Sequence, residues 1–161
     1  MAADNTHDIR ILNGLLAATQ ANADGYGEAA LASEDPGHQA LFKAREQERR
    51  DVADQLWAAV TAMGGEPDHG GSILAKARRA VLDVKHALMP DPASLLGEVE
   101  SGETALLARF DRGLENTGVS ATTRETIRRA RAEVARGHEA VSALKQSLQG
   151  QRDADSSLFP K

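Results

Sequence analysis

Four long stretches of helix-forming residues, separated by proline and glycine, limit what this chain can fold into. The first covers about residues 5–33 and the second 36–63. Between them, Asp35 and Pro36 make a good helix start, because proline at the first helical position loses no hydrogen bond. Gly64-Gly65 then ends the second stretch. The pattern predicts two long helices joined by a tight turn.

The second half of the chain repeats these signals. Asp91 followed by proline predicts another start, and that helix runs over about residues 92–116. Ser120 or Thr122 begins the last long helix, which continues to about Leu148. We expect one domain over residues 1–148 and a disordered polar tail over residues 149–161.

A shorter helix is predicted over residues 72–88, between the second and third long helices. Short connections make antiparallel neighbours of the first and second long helices, and likewise of the third and last. The long connection can return the chain to the opposite end, so that the second and third long helices run parallel. This is the ferritin-like topology: an all-α antiparallel four-helix bundle with one long crossover connection that carries a short fifth helix.

Composition excludes several classes of protein. The absence of cysteine rules out disulfides and thiolate metal sites, and a net charge of −5 argues against nucleic-acid binding. No apolar run reaches the roughly 18 residues that a membrane span requires. The first residues do not resemble a secretory signal. We therefore expect a cytoplasmic protein without nucleic-acid or membrane partners.

The helical wheels place several polar side chains on the apolar stripes, so they predict a buried polar layer. Buried charges must be paired or must bind a metal. Glu48 and Glu103 lie at the same depth to within a turn, with His138 about one turn away. The predicted layer comprises Tyr26, Arg45, Glu48, Glu103, Arg131 and His138.

A metal site is the alternative interpretation of this layer. A ferritin-like di-iron centre takes one Glu from each of two helices and Glu-x-x-His from each of the other two. Glu48, Glu103 and His138 match three of those positions, whereas Asp51 replaces a His and Ala135 replaces a Glu. These ligands, with or without Asp51, could hold one iron or zinc ion. Arg45 and Arg131 in the same layer would repel such an ion, which favours a structural ion-pair layer.

Five segments together resemble a known family. They cover residues 11–16, 25–30, 63–67, 82–88 and 98–103, and the most specific pieces are Gly64-Gly65-Glu66-Pro67 and Gly102-Glu103. Over roughly residues 7–148 the chain resembles an uncharacterised bacterial four-helix-bundle family of the ferritin-like superfamily. The resemblance implies a ferritin-like fold and an association with metal binding or stress, without an established reaction.

The residues favour a protein that is not an enzyme. No hydrolytic triad or phosphate-binding loop is present in the sequence. Trp57 faces outward on the wheel, where it covers the crossover helix or lies in a subunit interface. We expect a homo-oligomer, with a dimer favoured, that acts as a binding or stress-related structural protein. The alternative is a metal protein with redox or storage activity.

Overall fold

The computed structural model describes residues 4–68 and 92–158. In these two ranges the chain forms helices and no strands, which confirms the predicted all-α class. The predicted short helix over residues 72–88 lies outside the described residues. The helices are α1 (Thr6–Ala32), α2 (Pro36–Ala62), α3 (Pro92–Glu115) and α4 (Ala121–Leu158).

Local sequence signals set the ends of α2. The Asp35 carboxylate accepts a hydrogen bond from the backbone N–H of His38 at 2.9 Å, and Pro36 occupies the first helical position. Beyond the helix, Gly64 adopts a φ of 79°, in the left-handed region that side chains other than glycine rarely enter. Both ends were predicted correctly because each depends on two or three adjacent residues.

The N-terminal caps of α1 and α4 differ in their side-chain hydrogen bonds. Asn5 stands at the N-cap of α1, but its side chain makes no capping hydrogen bond. At α4, the Ser120 hydroxyl accepts from the backbone N–H of Thr123 at 3.2 Å. Ser120, and not Thr122, is therefore the cap of α4.

The C-terminal segment differs from expectation. α4 does not end near Leu148 but continues to Leu158, and all side chains from Gln149 to Leu158 are exposed. The predicted helix end near Leu148 is therefore wrong. Extending an existing helix adds one hydrogen bond per residue without a new nucleation cost, so this polar segment continues the helix without packing against a core.

Two clusters of buried apolar side chains fix the directions of the helices. The first contains Leu12 and Ile127, which come early in α1 and α4, together with Leu56 and Phe110, which come late in α2 and α3. The helices α1 and α4 therefore run one way through the bundle, and α2 and α3 run the other way. The second cluster, at the opposite end, contains Tyr26, Phe42, Leu96 and Val141.

The helix neighbours follow from the same packing. α1 packs against α2 and α3, and α4 packs against the same two helices, so that α2 and α3 lie diagonally opposite each other. Every adjacent pair is antiparallel, whereas α2 and α3 run parallel, as the sequence predicted. After α2, Asn13 of α1 holds the chain by donating to the Glu66 carbonyl at 3.0 Å and accepting from the Asp68 N–H at 2.9 Å. No described helix has the continuous apolar length that a membrane crossing requires.

Candidate functional site

A fully buried ion pair lies between the two apolar clusters. Arg49 of α2 and Glu103 of α3 are both 0% exposed, and the Arg49 Nη2 atom lies 2.5 Å from the Glu103 Oε1 atom. Because α2 and α3 are diagonal neighbours, this pair crosses the axis of the bundle. An unpaired charge at this depth would be strongly unfavourable, so each residue requires the other.

The guanidinium of Arg49 also contacts the remaining two helices. Its Nε donates to the Asn22 Oδ1 atom of α1 at 3.0 Å, and Nη2 donates to the Val134 carbonyl of α4 at 3.2 Å. The guanidinium carbon lies 5.8 Å from the centre of the Tyr26 ring, within range of a cation–π interaction. One side chain thus links all four helices.

Tyr26 completes the buried layer from α1. Its hydroxyl donates a hydrogen bond to the Oε1 atom of Glu103, the same oxygen that Arg49 contacts. Burial, and then the negative charge of Glu103, raise the pKa of Tyr26 well above its usual value. The phenol therefore stays neutral and acts as a donor. Its ring packs against Phe42, with 6.3 Å between ring centres.

Gly137 of α4 provides the space for the guanidinium. A Cβ atom at this position would lie 2.7 Å from Arg49 Nη2, closer than real Cβ atoms approach another heavy atom. The same Cβ would lie 3.2 Å from the Oε2 atom of Glu48. Glycine at position 137 therefore lets α4 pack directly against Arg49.

Two residues of the predicted layer lie at its edge. Arg45 and Glu48 pair with each other at 2.9 Å, and their side chains are 17% and 43% exposed. His138 is half-buried, and its Nδ1 atom is buried without a hydrogen-bond partner in the part of the chain that the structure describes. Tyr26 and Glu103 are brought together, whereas Glu48 reaches the layer from the surface side.

Arg131 and Asp51 lie outside the layer. Arg131 is 37% exposed and pairs with Asp111 of α3, so its predicted place in the core is wrong. The α4 stripe includes the small buried residues Ala130 and Gly137, which turn Arg131 towards the surface. Asp51 is exposed and accepts a hydrogen bond from Gln47 at 2.9 Å.

Sequence reasoning missed Arg49. The helical wheel for α2 places Arg45 and Glu48 on or beside the apolar stripe and does not single out Arg49. A usable signal existed, since Arg49 stands seven residues from both Phe42 and Leu56, which are buried. That spacing returns to the same helix face after two turns. A long charged side chain between two such residues is a candidate for the core.

The residues present do not fit a di-iron centre. Within residues 4–68 and 92–158, no three His, Asp or Glu side chains are arranged so that they could hold a metal ion. The Oε1 atom of Glu103 is already bound by a guanidinium and a phenol. Glu48 and Asp51 instead line a surface cleft of about 170 Å³ with Glu133 and Arg136. The negative charge of Glu103 in the core is balanced by Arg49.

The comparisons with known proteins give a family and a fold. The sequence model of a family described as a domain of unknown function (DUF2383) matches residues 7–116. No curated protein matches the chain. A solved structure with the same fold is that of a dodecameric thioferritin, the bacterioferritin-related protein from Bacteroides fragilis. It is 17% identical, with a TM-score of 0.73, and the alignment covers 99% of this chain and 94% of that one.

Proposed function

The chain belongs to the DUF2383 family and has the fold of a ferritin-related protein, and from this premise we propose that it is a non-enzymatic, homo-oligomeric, cytoplasmic protein with a structural or stress-related binding role. Its four-helix bundle carries a charged layer at the centre. That layer stabilises the subunit without a bound metal.

The observation that carries this proposal is the position of Arg49. Its guanidinium bonds to Glu103, Asn22 and Val134 from three other helices. A positive group in this position neutralises the buried carboxylate, which is the task that a metal performs in a di-iron bundle. The layer also lacks an obvious reacting group, since the Tyr26 phenol stays neutral and bound.

A homo-oligomer is supported by the likeness to the Bacteroides fragilis protein, which is dodecameric. That structure aligns with this chain over nearly its whole length. The sequence alone favoured a dimer. Light scattering on the purified chain, coupled to size exclusion, distinguishes a dimer from a dodecamer, and a monomer at all concentrations would contradict the oligomeric part of the proposal.

The second candidate function is metal binding with storage or redox activity. The Oε2 atom of Glu103 and the Nδ1 atom of His138 support it, because both are buried and make no hydrogen bond within the described ranges. With Glu48 and Asp51 they are the carboxylate and imidazole ligands that the sequence predicts for iron or zinc, and their side chains would have to move to surround one ion. The likeness to a thioferritin favours the same candidate.

Elemental analysis of protein purified without a chelator separates the two functions. We expect iron and zinc far below one atom per chain, and the same unfolding temperature with and without EDTA. Near-stoichiometric iron or zinc would favour the second function, provided that it is lost in His138→Ala. His138 is the better position for this control, because removing it does not leave Arg49 without its acid.

A further inference from the structure

Oxygen atoms from all four helices surround the guanidinium of Arg49. Glu103 Oε1 lies 2.5 Å from Nη2, Asn22 Oδ1 3.0 Å from Nε, and the Val134 carbonyl 3.2 Å from Nη2. The Glu48 carboxylate approaches from the side of Gly137, where its Oε2 atom and the guanidinium flank the same point. Two carboxylates, an amide and a backbone carbonyl form a donor set that a hard cation prefers.

One oxygen atom of Glu103 is not used by Arg49. Glu103 Oε2 is buried and has no hydrogen-bond partner in the described parts of the chain. Buried polar atoms of native proteins are usually paired, so an unpaired carboxylate oxygen on the partner of a buried cation is unusual. Carboxylate oxygens are also ordinary ligands of divalent metals.

We propose that Arg49 is a tethered cation that excludes divalent metals from the centre of the bundle, and that removing its charge uncovers a divalent-cation site formed by the oxygen atoms that now surround it: those of Glu103, Asn22 and the Val134 carbonyl, with Glu48 beside them. Arg49 is thus the residue that determines whether this layer takes a metal. The inference rests on the proposed metal-independent core and deepens it. The physical reason is repulsion, because a divalent ion at Glu103 Oε2 would lie close to a fixed positive charge in a water-poor interior.

Two substitutions at position 49 separate charge from shape. Arg49→Gln removes the charge and keeps a polar side chain of moderate length, whereas Arg49→Lys keeps the charge and removes the planar fork. Both lose the multiple hydrogen bonds of the guanidinium. A difference between them in metal binding therefore reports on charge.

The experiment is a calorimetric titration of the full chain with Co²⁺. We expect Arg49→Gln to bind one Co²⁺ per chain about tenfold more tightly, or better, than the wild type or Arg49→Lys. The gain should disappear in Arg49→Gln/Glu103→Gln, which neutralises the proposed ligand. Co²⁺ should also raise the unfolding temperature of Arg49→Gln and leave that of Arg49→Lys unchanged.

Four results would overturn the inference. They are no gain in Arg49→Gln, an equal gain in Arg49→Lys, a gain that survives the loss of Glu103, and wild-type binding as tight as that of the variant. The last of these also contradicts the proposed function, whereas the first three leave it intact.

A variant that fails to fold still gives an answer. If Arg49→Gln is unfolded in EDTA, Arg49→Met, which is uncharged and of similar length, replaces it. If both are unfolded, recovery of helical circular dichroism on adding Co²⁺ supports the inference, and no recovery overturns it.

Discussion

Two buried acids in this bundle, Glu103 in the central layer and Asp8 near the start of α1, are stabilised in opposite ways. Glu103 is 0% exposed and is paired with the cation Arg49, but its Oε2 atom has no partner within the described ranges. Asp8 is 6% exposed, and its hydrogen-bond donors within the described ranges are neutral groups at the start of α4: the Ser120 N–H at 3.2 Å and the Thr123 hydroxyl at 2.8 Å.

The difference shows what each acid can do. The carboxylate of Asp8 lies at the N-terminus of α4, where the helix dipole and free N–H groups favour a negative charge. Its hydrogen bonds link α1 to the start of α4. Removing the charge of Asp8 would not leave a paired cation without its acid. The charge of Glu103 can be removed only together with that of Arg49. A single substitution in the central layer should therefore reduce the stability of the fold more than a substitution of Asp8.

Glu103→Ala should produce the largest effect. It leaves the guanidinium of Arg49 buried without its acid, and breaking a buried pair costs about 3–5 kcal/mol of unfolding free energy. Urea denaturation followed by circular dichroism measures this loss. The double variant Arg49→Met/Glu103→Leu should recover most of it, because an apolar replacement of both partners strands no charge. A single variant as stable as the wild type would show that solvent reaches this layer.

Gly137→Ala tests the tight packing around the same cation. The added methyl would lie 2.7 Å from Arg49 Nη2, so α4 or the guanidinium must move, which costs about 1–3 kcal/mol. Gly14→Ala in α1 is the matched control, since its added Cβ would have no atom within 4 Å. We expect the control to stabilise the chain by about 0.5–1 kcal/mol. Equal effects of the two variants in urea denaturation would contradict close packing at Arg49.

Asp8→Asn should have a smaller and pH-dependent effect. Burial alone would raise the pKa of Asp8, but hydrogen bonds from Ser120 and Thr123 outweigh it and lower the pKa below the ordinary value of 3.8. A lowered folded-state pKa stabilises the folded chain above the unfolded-state pKa, and that contribution disappears as the pH falls through the folded-state value. At pH 7 we expect a loss of about 1–2 kcal/mol.

The measurement is urea denaturation of wild type and Asp8→Asn over a pH series. The difference between them should be constant from neutral pH to about pH 5 and should shrink below about pH 4. A difference that grows as the pH falls would mean that Asp8 is destabilised by its burial. It would then resemble an uncompensated buried acid, and the comparison with Glu103 would fail.

Part of the fold could be predicted from the sequence. The two ends of α2 were predictable because each signal, Asp35-Pro36 at the start and Gly64-Gly65 after the end, acts on backbone only a few residues away. Glu103 was placed in the core because bulky apolar residues mark its face of α3 on both sides. These features depend on one helix alone.

The missed features depend on a second helix. Arg49 is buried because Gly137 of α4 leaves room for it, which no wheel drawn for α2 can show. Small residues such as Ala130 also carry little weight in a hydrophobicity pattern, although Ala130 is fully buried. The polar helix beyond Leu148 was missed because its composition gives no apolar face. Packing partners, and not local preferences, decide these positions.

Arg131→Ala should have the smallest effect, although the sequence placed Arg131 in the same layer as Glu103. Arg131 and its partner Asp111 are 37% and 46% exposed, and exposed ion pairs contribute about 0.2–1 kcal/mol. We expect a loss within that range by urea denaturation in dilute buffer, and almost none in about 1 M salt, which screens exposed charges. A loss above about 3 kcal/mol that salt does not reduce would give Arg131 the behaviour expected of a buried arginine. The contrast between Arg131 and Arg49 therefore tests whether burial, and not residue type, makes a charge essential to this bundle.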